Sequence, residues 1–462
     1  MSKEFLGVAV LALSPSSRFF HVEKISFAQT HPAITSWLRN TTGITGRHYV
    51  AGNSTPINDN YPANVQTVQY SADNVYVSCS GIPAYIIGPY LDGNPSQGAN
   101  NNNIYKITLN PVQNTGTPSP TTLGTIGVFI NGVSLFDYRD GVSYNINTGT
   151  NQGGPMGGMG NGVWNRDAVV AERMGFDCAK GHPAMTNYHH HQNPSAFNLD
   201  LNVISNVCDV YLSDGLYVID STAHAPLLGF AYDGFPIYGA YGYKNNDGTG
   251  GITRMKSSYT LRNITVRTHY ANGTDVTDGP PVSAVFPLGM YREDYEYNPT
   301  SAATPDYLDQ HNGRFCVTPE YPNGTYCYFA TVDENWNSTY PYVVGPTFYG
   351  VKSVTRVNAI NEPTTVYTGV TATEDHHAIE RANIQVYPNP GADLIIVQSK
   401  TMLEQSLRME LADLSGRVVL SKDFYQGSTI CHLETETLYN GAYILTLSDG
   451  KSKKTVKILI SR

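Results

Sequence analysis

The sequence predicts a mostly β protein, in which a large β-rich domain is followed by a small C-terminal β-sandwich. Short runs alternate apolar and polar residues with a period of two, and turns rich in glycine, proline and asparagine separate them. The 462 residues include 43 glycines, 27 prolines and 33 tyrosines, and only 15% are charged. This composition favours many short strands over long surface helices. A chain of this length exceeds one ordinary hydrophobic core, so several domains are expected.

The first segment, residues 1–28, is predicted to be a signal peptide. Lys3 precedes a short apolar stretch, Phe5–Leu13, and Ser26 and Ala28 are the small residues that a cleavage after this segment requires. Charged residues between the stretch and the cleavage site make the pattern irregular, so the alternative is a buried first strand. No run reaches the roughly 18–20 apolar residues that span a membrane, and no transmembrane segment is expected.

Residues 29–355 are predicted to form the β-rich domain, with strand-like runs such as Leu123–Gly141. One helix of about ten residues is expected near the middle of this domain. Asn165 can cap its first turn, Asp167 suits the positive end of the helix dipole, and Gly175 can end it.

Residues 356–382 are rich in threonine, asparagine and glutamate, show no periodic pattern, and are predicted to be a linker. Residues 383–462 then alternate strand-like runs with turn signals such as Asn440-Gly441 and Asp449-Gly450. About eighty residues of this kind predict a sandwich of about seven strands.

The C-terminal segment carries several motifs in a fixed order: VYPNP, DLSGRVV, LYNGAYIL and a basic final strand. In this order they resemble the C-terminal sorting domain of the type IX secretion system. The resemblance implies that the secretion machinery recognises this domain as a partner. It also implies that the protein is secreted or displayed on the outer-membrane cell surface. The alternative is an ordinary adhesive sandwich domain.

The formal net charge is −9, and no basic stretch is apparent, so a nucleic-acid partner is not expected. The sequence lacks the motifs G-x-S-x-G, H-E-x-x-H, the P-loop and a G-x-G-x-x-G after a strand. Their absence disfavours a serine hydrolase, a zincin, an NTPase and a dinucleotide-dependent enzyme.

The stretch TNYHHHQNP, Thr186–Pro194, holds three of the thirteen histidines. If it is extended, His189 and His191 point to the same face, about 6.6 Å apart along the strand. Two imidazoles at this spacing can bind one ion, whereas His190 faces the other way. His182 lies just upstream and is a third candidate ligand. The alternative is a segment that only packs and forms hydrogen bonds.

A downstream segment, AHAPLLGFAYDGFPIY, adds His224 and Asp233 to the candidate metal ligands. Several histidines with a carboxylate suit zinc or copper, because imidazole is a borderline-soft ligand. We expect Tyr188, Tyr232 and Tyr238 to line the pocket around the ion. Asp233 precedes a glycine, and the alternative for it is a turn residue.

Two acidic residues upstream of the histidines, Glu172 and Asp177, could accept hydrogen bonds from the far ring nitrogens of metal-bound histidines. A separate segment, Asn245–Gly251, offers oxygen ligands in a tight turn that could hold calcium. It lacks the twelve-residue loop that ends in glutamate, so a plain turn is the alternative.

Residues from about Ile57 to Val354 carry a second resemblance, on the segments NYHHH, LLGFAYDGFPIYG, EDYEY and LDQHNGRFCVTPEYPNGTY. These look like the YHYH domain family. Tyr188, His189 and His191 match the name-giving motif, and His190 replaces its second tyrosine. The resemblance implies a secreted or surface protein whose motif binds a metal, and it specifies no reaction.

The six cysteines form no C-x-x-C pair, which argues against a thiolate zinc site. Cys316 and Cys327 flank TPEYPNGTY, a predicted hairpin turn, and are the first candidates for a disulfide. Cys178 with Cys208 is the second candidate pair, and both depend on an oxidising compartment. The alternative is that all six are small buried hydrophobic residues.

Two hypotheses for function follow. The first is a secreted or cell-surface protein with a histidine-based copper or zinc site. The second is a non-catalytic surface module that binds glycan or protein, in which the histidine cluster is structural. The abundance of tyrosine favours the second, because aromatic rings suit sugars and interfaces.

Overall fold

The computed structural model describes residues 31–93, 96–154, 157–199, 206–300, 304–353, 355–369, 382–414, 416–450 and 453–462. The predicted signal peptide, residues 1–28, lies outside the described residues.

The described chain is mostly β, as predicted. The strands before residue 370 are β1 (Thr45–Val50), β2 (Asn53–Pro62), β3 (Val65–Tyr70), β4 (Asn74–Cys79), β5 (Asn103–Thr108), β6 (Thr125–Phe129), β7 (Ser134–Phe136), β8 (Arg139–Asn145), β9 (Thr150–Gly153), β10 (Asn165–Asp167), β11 (His182–Ala184), β12 (Asn187–His190), β13 (Leu227–Ala231), β14 (Pro236–Tyr238), β15 (Tyr241–Tyr243), β16 (Ile252–Arg254), β17 (Tyr259–Leu261), β18 (Tyr295–Tyr297), β19 (Gly313–Cys316), β20 (Thr325–Phe329), β21 (Arg356–Val357) and β22 (Thr365–Val366).

The helical elements are short. They are the α-helices α1 (Pro32–Thr35) and α2 (Ala168–Ala171) and the 3₁₀ turns Arg173–Gly175, Phe197–Leu199, Val207–Asp209 and Arg292–Asp294.

The helix predicted near residue 165 is shorter than expected and begins later. Asn165 lies in β10, and the N-cap of α2 is Asp167, whose carboxylate accepts hydrogen bonds from the amides of Val169 and Val170. The β-branched pair Val169-Val170 is a poor helix former, and α2 ends after four residues. The following 3₁₀ turn, Arg173–Gly175, completes the segment.

Two sheets organise the large domain. A mixed eight-stranded sheet has the order β11-β12-β7-β6-β13-β14-β20-β19, and a five-stranded sheet has the order β21-β5-β4-β3-β22. One buried core contains residues from both, because β13 is buried throughout and β5 buries every second residue. Smaller sheets surround them, in the orders β10-β8-β9, β1-β2, β15-β16 and β17-β18.

Two short strands lie inside the segment that was expected to be a linker, residues 356–382. Strand β21 pairs with β5, and β22 pairs with β3, so both edges of the five-stranded sheet are covered. Each strand has only two residues, too few to show a periodic pattern in the sequence. The rest of this segment, residues 370–381, lies outside the described residues.

The C-terminal domain is a seven-stranded sandwich in the described chain, as predicted. Its strands are β23 (Gln385–Tyr387), β24 (Leu394–Gln398), β25 (Leu407–Asp413), β26 (Val418–Phe424), β27 (Ile430–Glu434), β28 (Gly441–Ser448) and β29 (Lys453–Ile460). They form sheets in the orders β23-β24-β27 and β26-β25-β28-β29. In β25, Leu407, Met409 and Leu411 are buried, whereas the residues between them are exposed. This alternation packs one face of the sheet on a separate core.

The sandwich contacts the large domain through charged and aromatic side chains. Asp214 lies 3.1 Å from Nδ1 of His432 and 3.8 Å from Nζ of Lys422, both of which are in the sandwich. The guanidinium of Arg47 lies 4.5 Å from the ring centroid of Tyr425. These pairs are ionic and cation–π contacts between the two domains.

One of the two predicted disulfides is present. Cys178 and Cys208 are bonded, with 5.1 Å between their Cα atoms, inside a small buried cluster. Cys316 and Cys327 are free buried thiols, so the prediction for this pair was wrong. The β19–β20 register pairs Cys316 with Thr325 and Cys327 with Arg314. The two cysteines are therefore diagonal neighbours, and their thiols form a hydrogen bond without a covalent bond.

Candidate metal centre

Three predicted histidines meet at one edge of the eight-stranded sheet. Strands β11 and β12 form a hairpin in which His182 is the cross-strand partner of His189. His191 follows two residues after His189 and therefore lies on the same face of the strand. Strand β7 supports the hairpin from the other side, since His189 pairs with Ser134 in parallel register.

The ring nitrogens of these histidines converge. Nε2 of His191 lies 3.0 Å from Nε2 of His189 and 3.3 Å from Nε2 of His182. Zinc–nitrogen bonds of about 2.0–2.1 Å in a tetrahedron place neighbouring nitrogens about 3.3–3.4 Å apart. The observed separations are close to this spacing. All three side chains are buried, and in the described chain they form the one cluster with metal-ligand geometry.

Hydrogen bonds to backbone carbonyls orient two of the rings. Nδ1 of His189 lies 2.9 Å from the carbonyl of Asn187, and Nδ1 of His191 lies 2.6 Å from the carbonyl of Asp137. A carbonyl can only accept, so each Nδ1 donates a hydrogen bond. In the neutral rings the Nε2 atoms then carry lone pairs that face each other. A bound cation would remove this repulsion, and such outer hydrogen bonds are typical of metal-bound histidines.

A carboxylate lies beside the three nitrogens. Oε2 of Glu172, which immediately follows α2, is 3.3 Å from Nε2 of His182 and 3.5 Å from Nε2 of His191. This oxygen is buried, and it makes no hydrogen bond. A buried oxygen without a hydrogen bond is costly unless a cation satisfies it. The donor set is therefore three imidazoles and one carboxylate.

The electrostatics of the cluster favour neutral side chains. Burial lowers the pKa of His191 to about 4, although its hydrogen bond to Asp137 acts in the opposite direction. Burial and the neighbouring imidazoles hold the pKa values of His182 and His189 well below 6.5. Burial, followed by the charge of Asp140, raises the pKa of Glu172 to about 8. Neutral imidazoles are the form that binds a metal, and a cation would favour ionisation of the carboxyl group.

The cluster faces a cleft of about 640 Å³. Glu172, His182, His189 and His191 all line it, so a solute in the cleft can reach the converging nitrogens. Phe136, at the end of β7, forms part of the wall and stacks on His189 with 3.8 Å between ring centroids. The cleft volume lies within the range that holds small molecules.

The structure does not bring His224 and Asp233 to this cluster. His224 packs against Tyr238 and Tyr243, and its Nδ1 hydrogen-bonds to the carbonyl of Ala225. The carboxylate of Asp233 accepts hydrogen bonds from the hydroxyl of Tyr328 and from backbone amides, including that of Gly350. The expectation that they join the metal ligands was wrong, because they flank β13, and β7 and β6 separate β13 from the hairpin.

The three tyrosines expected in the pocket lie elsewhere among the described residues. Tyr188 is on the strand face opposite His189, and its hydroxyl donates to Asp177. Tyr238 donates to Glu320, and Tyr232 is buried in the large core. Alternation along β12 explains the first of these errors, since a residue next to a ligand points away from it.

Asp177 does not support the histidine rings, contrary to expectation. Its carboxylate accepts hydrogen bonds from the amides of Gly88 and Gly181 and from Tyr188, and so holds the turn that precedes His182. Burial raises its pKa to about 7. Glu172, expected in the same supporting role, lies instead beside the converging nitrogens, with Oε2 3.3 Å from Nε2 of His182.

His190 takes the place of a tyrosine in the family motif and points away from the cluster, as predicted. Its Nε2 lies 2.8 Å from the hydroxyl of Tyr85, and its Nδ1 lies 3.1 Å from the carbonyl of Lys180. Burial lowers its pKa to about 3. A neutral, hydrogen-bonded ring in the core is therefore its structural role.

The segment proposed for calcium forms a compact turn. The exposed carboxylate of Asp247 accepts hydrogen bonds from the amide and the hydroxyl of Thr249, and the amide of Asn245 also bonds within the turn. These contacts are those of an ordinary polar turn.

Comparison with protein-family models matches residues 104–342 to the YHYH protein model, which is more than half of the chain. The chain belongs to the YHYH family. The match is narrower than the range 57–354 inferred from the sequence, and it includes the whole histidine hairpin of the YHYH domain. No curated protein sequence matches the chain.

Residues 385–461 match the secretion system C-terminal sorting domain. The YHYH protein is therefore a secreted or cell-surface protein that interacts with the type IX secretion machinery through this domain. Among the described residues, no helix has both the length and the apolar character needed to cross a membrane.

Sequence reasoning missed part of the cleft of the YHYH domain. Phe136, Leu123 and Met185 line it, and the carbonyl of Asp137 holds His191. The run LGTIGVFINGVSLFDYRDG predicts strands but not a role in the cleft. Its residues reach the cleft because β7 pairs in parallel with β12, and a single sequence contains no local pattern for such a pairing.

Proposed function

We propose that the YHYH domain binds one divalent transition-metal ion, zinc or copper, through His182, His189, His191 and Glu172. The observation that supports this most directly is the convergence of three buried Nε2 atoms, two of which carry facing lone pairs. The unsatisfied oxygen of Glu172 beside them supplies a fourth donor. Imidazole and carboxylate ligands suit both metals.

The position of the donor set supports a reactive site in preference to a sealed structural ion. All four donors line a cleft that opens to solvent, and the carbonyls of Asn187 and Asp137 keep two rings in fixed tautomers. A zinc ion that takes a water from the cleft as a fifth ligand would lower the pKa of that water for hydrolysis, and a bound copper ion would supply redox chemistry. The protein's own contribution is to orient the imidazoles and to cover one face of His189 with the ring of Phe136.

Cobalt substitution of the full-length, metal-free protein tests the proposed ligand set. Cobalt should give the intense visible absorption of a four-coordinate site, with one equivalent bound per chain. His182→Ala should remove these bands, whereas the control His269→Ala should keep them, since His269 is half-exposed and lies outside the residues that line the cleft. Unchanged absorption in His182→Ala would contradict the assignment.

A second candidate function rests on another cleft. A space of about 650 Å³ is lined by Tyr259, Tyr295 and Tyr307 together with Arg254 and Lys256. Aromatic rings flanked by hydrogen-bonding cations suit a carbohydrate. This observation favours the alternative of a glycan-binding surface module.

A glycan array probed with wild type and with Tyr307→Ala tests this alternative. Binding that depends on Tyr307 and survives replacement of His189 and His191 would support a glycan-binding module. Binding lost only with the histidines would assign recognition to the metal cleft.

The sorting domain suggests where the metal centre functions. We propose that the protein is displayed at the outer-membrane cell surface, the location implied by export through the type IX machinery. Immunolabelling of intact cells of the source organism should detect the YHYH domain. Deletion of residues 383–462 should abolish that surface signal, and labelling only of permeabilised cells would contradict the proposal.

A further inference from the structure

The cleft in front of the histidines has an apolar wall. Leu123 and Met185 lie at its mouth and are 59% and 83% exposed. Pro183 and Phe136 continue the wall inward, and the ring of Phe136 covers one face of His189. Apolar surface therefore extends from solvent to the converging nitrogens.

Two charged residues of the same wall, Arg139 and Asp140, have partners elsewhere in the protein. Arg139 lies 2.6 Å from Asp137 and also donates to the carbonyl of Thr121. Asp140 is paired with Arg166. Arg139 and Asp140 are thus compensated within the protein, and a ligand need not bring charges to match them.

Met185 has an unusual backbone for its side chain. It lies in the two-residue turn between β11 and β12 with a φ of +57°, a conformation that asparagine and glycine adopt more readily. Its long thioether side chain is exposed at the mouth of the cleft. Methionine adapts to apolar ligands of different shapes, so this position is suited to contact a bound molecule.

From these observations we infer that the cleft binds a small apolar molecule carrying a single metal-binding head group. The apolar body would lie against Leu123, Phe136 and Met185, and the head group would reach the ion held by the histidines. This inference rests on the proposed metal site and adds the class of ligand. A volume of about 640 Å³ accommodates a molecule of this size.

Titration of zinc-loaded, full-length protein with benzohydroxamate and acetohydroxamate tests the inference. The two probes share a metal-binding head group and differ in apolar surface. We expect benzohydroxamate to bind at least about tenfold more tightly, because its ring buries additional apolar area. Equal affinities for the two probes in protein that contains zinc would overturn the inference.

Variants of the cleft mouth provide a second test. Leu123→Ser and Met185→Asn should each reduce the preference for benzohydroxamate about threefold or more without changing the zinc content, and asparagine suits the turn at position 185. Val285→Ser is the matched control, since Val285 is 70% exposed and lies outside the residues that line this cleft. An unchanged preference in both mouth variants would also overturn the inference.

Metal analysis of the same samples separates the two proposals. Failure to bind zinc would contradict the proposed metal site itself. Metal-free protein titrated with benzamide and acetamide then still tests the apolar wall, because neither probe needs a metal. A preference for benzamide supports the part of the inference that concerns the apolar body, and equal binding of the two amides overturns the inference.

Discussion

Nε2 of His189 and Nε2 of His191 lie 3.0 Å apart, while the opposite nitrogen of each ring is bonded to a backbone carbonyl. Neither neutral ring can donate a hydrogen bond to the other in this arrangement. Burial also disfavours protonation of either ring. The pair is therefore organised to share a cation, and the predictions below follow from that relationship and from the contacts around it.

Replacement of Glu172 by glutamine should weaken zinc binding by about tenfold to hundredfold, because the fourth donor loses its charge. Competition titration of metal-free protein with a chromogenic chelator measures the change. Glu334→Gln is the control, because Glu334 is exposed and lines the other cleft. Equal affinities of Glu172→Gln and wild type would show that this carboxylate is not a ligand.

His224→Phe should leave metal binding intact and should alter the pH dependence of stability. Burial lowers the pKa of His224 to about 4, below its value of about 6.5 in the unfolded chain. Between these pH values the unfolded state binds more protons, so protonation destabilises the fold as the pH falls.

Urea unfolding of metal-free wild type and His224→Phe from pH 7 to pH 4 measures this effect. The free energy of unfolding of wild type should fall more steeply, by up to about 1.4 kcal/mol per pH unit. Parallel curves for the two proteins would contradict the buried, neutral state of His224. Loss of bound metal in His224→Phe would make His224 a candidate ligand again.

The disulfide pattern predicts a specific thiol count. Four of the six cysteines are free, so titration of the unfolded, unreduced protein should give four thiols, and six after reduction. Two thiols before reduction would instead indicate a second disulfide, such as one between Cys316 and Cys327.

Loss of the Cys178–Cys208 disulfide should lower the free energy of unfolding by about 2–4 kcal/mol, since the bond closes a loop of thirty residues. The double replacement Cys178→Ser with Cys208→Ser tests this by urea unfolding. Zinc affinity should fall as well, because Cys178 lies four residues before His182 in the turn that Asp177 holds. A stability equal to that of wild type would contradict the structural role of the bond.

Asp214→Asn should weaken the contact between the YHYH domain and the sorting domain. Burial raises the pKa of Asp214. The charge of Lys422 and the hydrogen bond from His432 lower the pKa by more than burial raises it, so the net pKa is below the usual value. Its contribution to stability is therefore present above about pH 4 and is lost as the pH falls further.

Unfolding of full-length protein at pH 7 should show a loss of about 1–2 kcal/mol in Asp214→Asn, with a smaller difference from wild type at pH 3. Asp275→Asn is the control, since Asp275 is 88% exposed. A loss that is the same at both pH values would exclude the charge of Asp214 as its cause.

The sequence predicted the fold class and the core of the site for identifiable physical reasons. Period-2 alternation and turn residues specify strands locally, and the number of such strands predicted the C-terminal sandwich. Same-face spacing correctly grouped His189 with His191. His182 was a candidate ligand because it is close to these histidines in the chain. The antiparallel pairing of β11 with β12 places it opposite His189.

The remaining errors concern contacts between distant segments. His224 and Asp233 have side chains that can bind a metal, but they flank β13, which lies beyond β7 and β6 in the sheet. Glu172 was assigned a supporting role because the turn after α2 could not be foreseen. Cys316 and Cys327 flank the hairpin that was predicted, but its register offsets them. Sheet order and register decide the cases of His224, Asp233 and the cysteine pair, and one sequence does not encode them in a local pattern.

The most direct test is elemental analysis of full-length protein purified without a histidine tag or a nickel column. Wild type should carry about one zinc or copper ion per chain, and the variant with both His189→Ala and His191→Ala should carry none. The His269→Ala variant should retain the wild-type content. Wild-type protein without zinc or copper after incubation with either metal, or the same metal content in the double variant, would contradict the account.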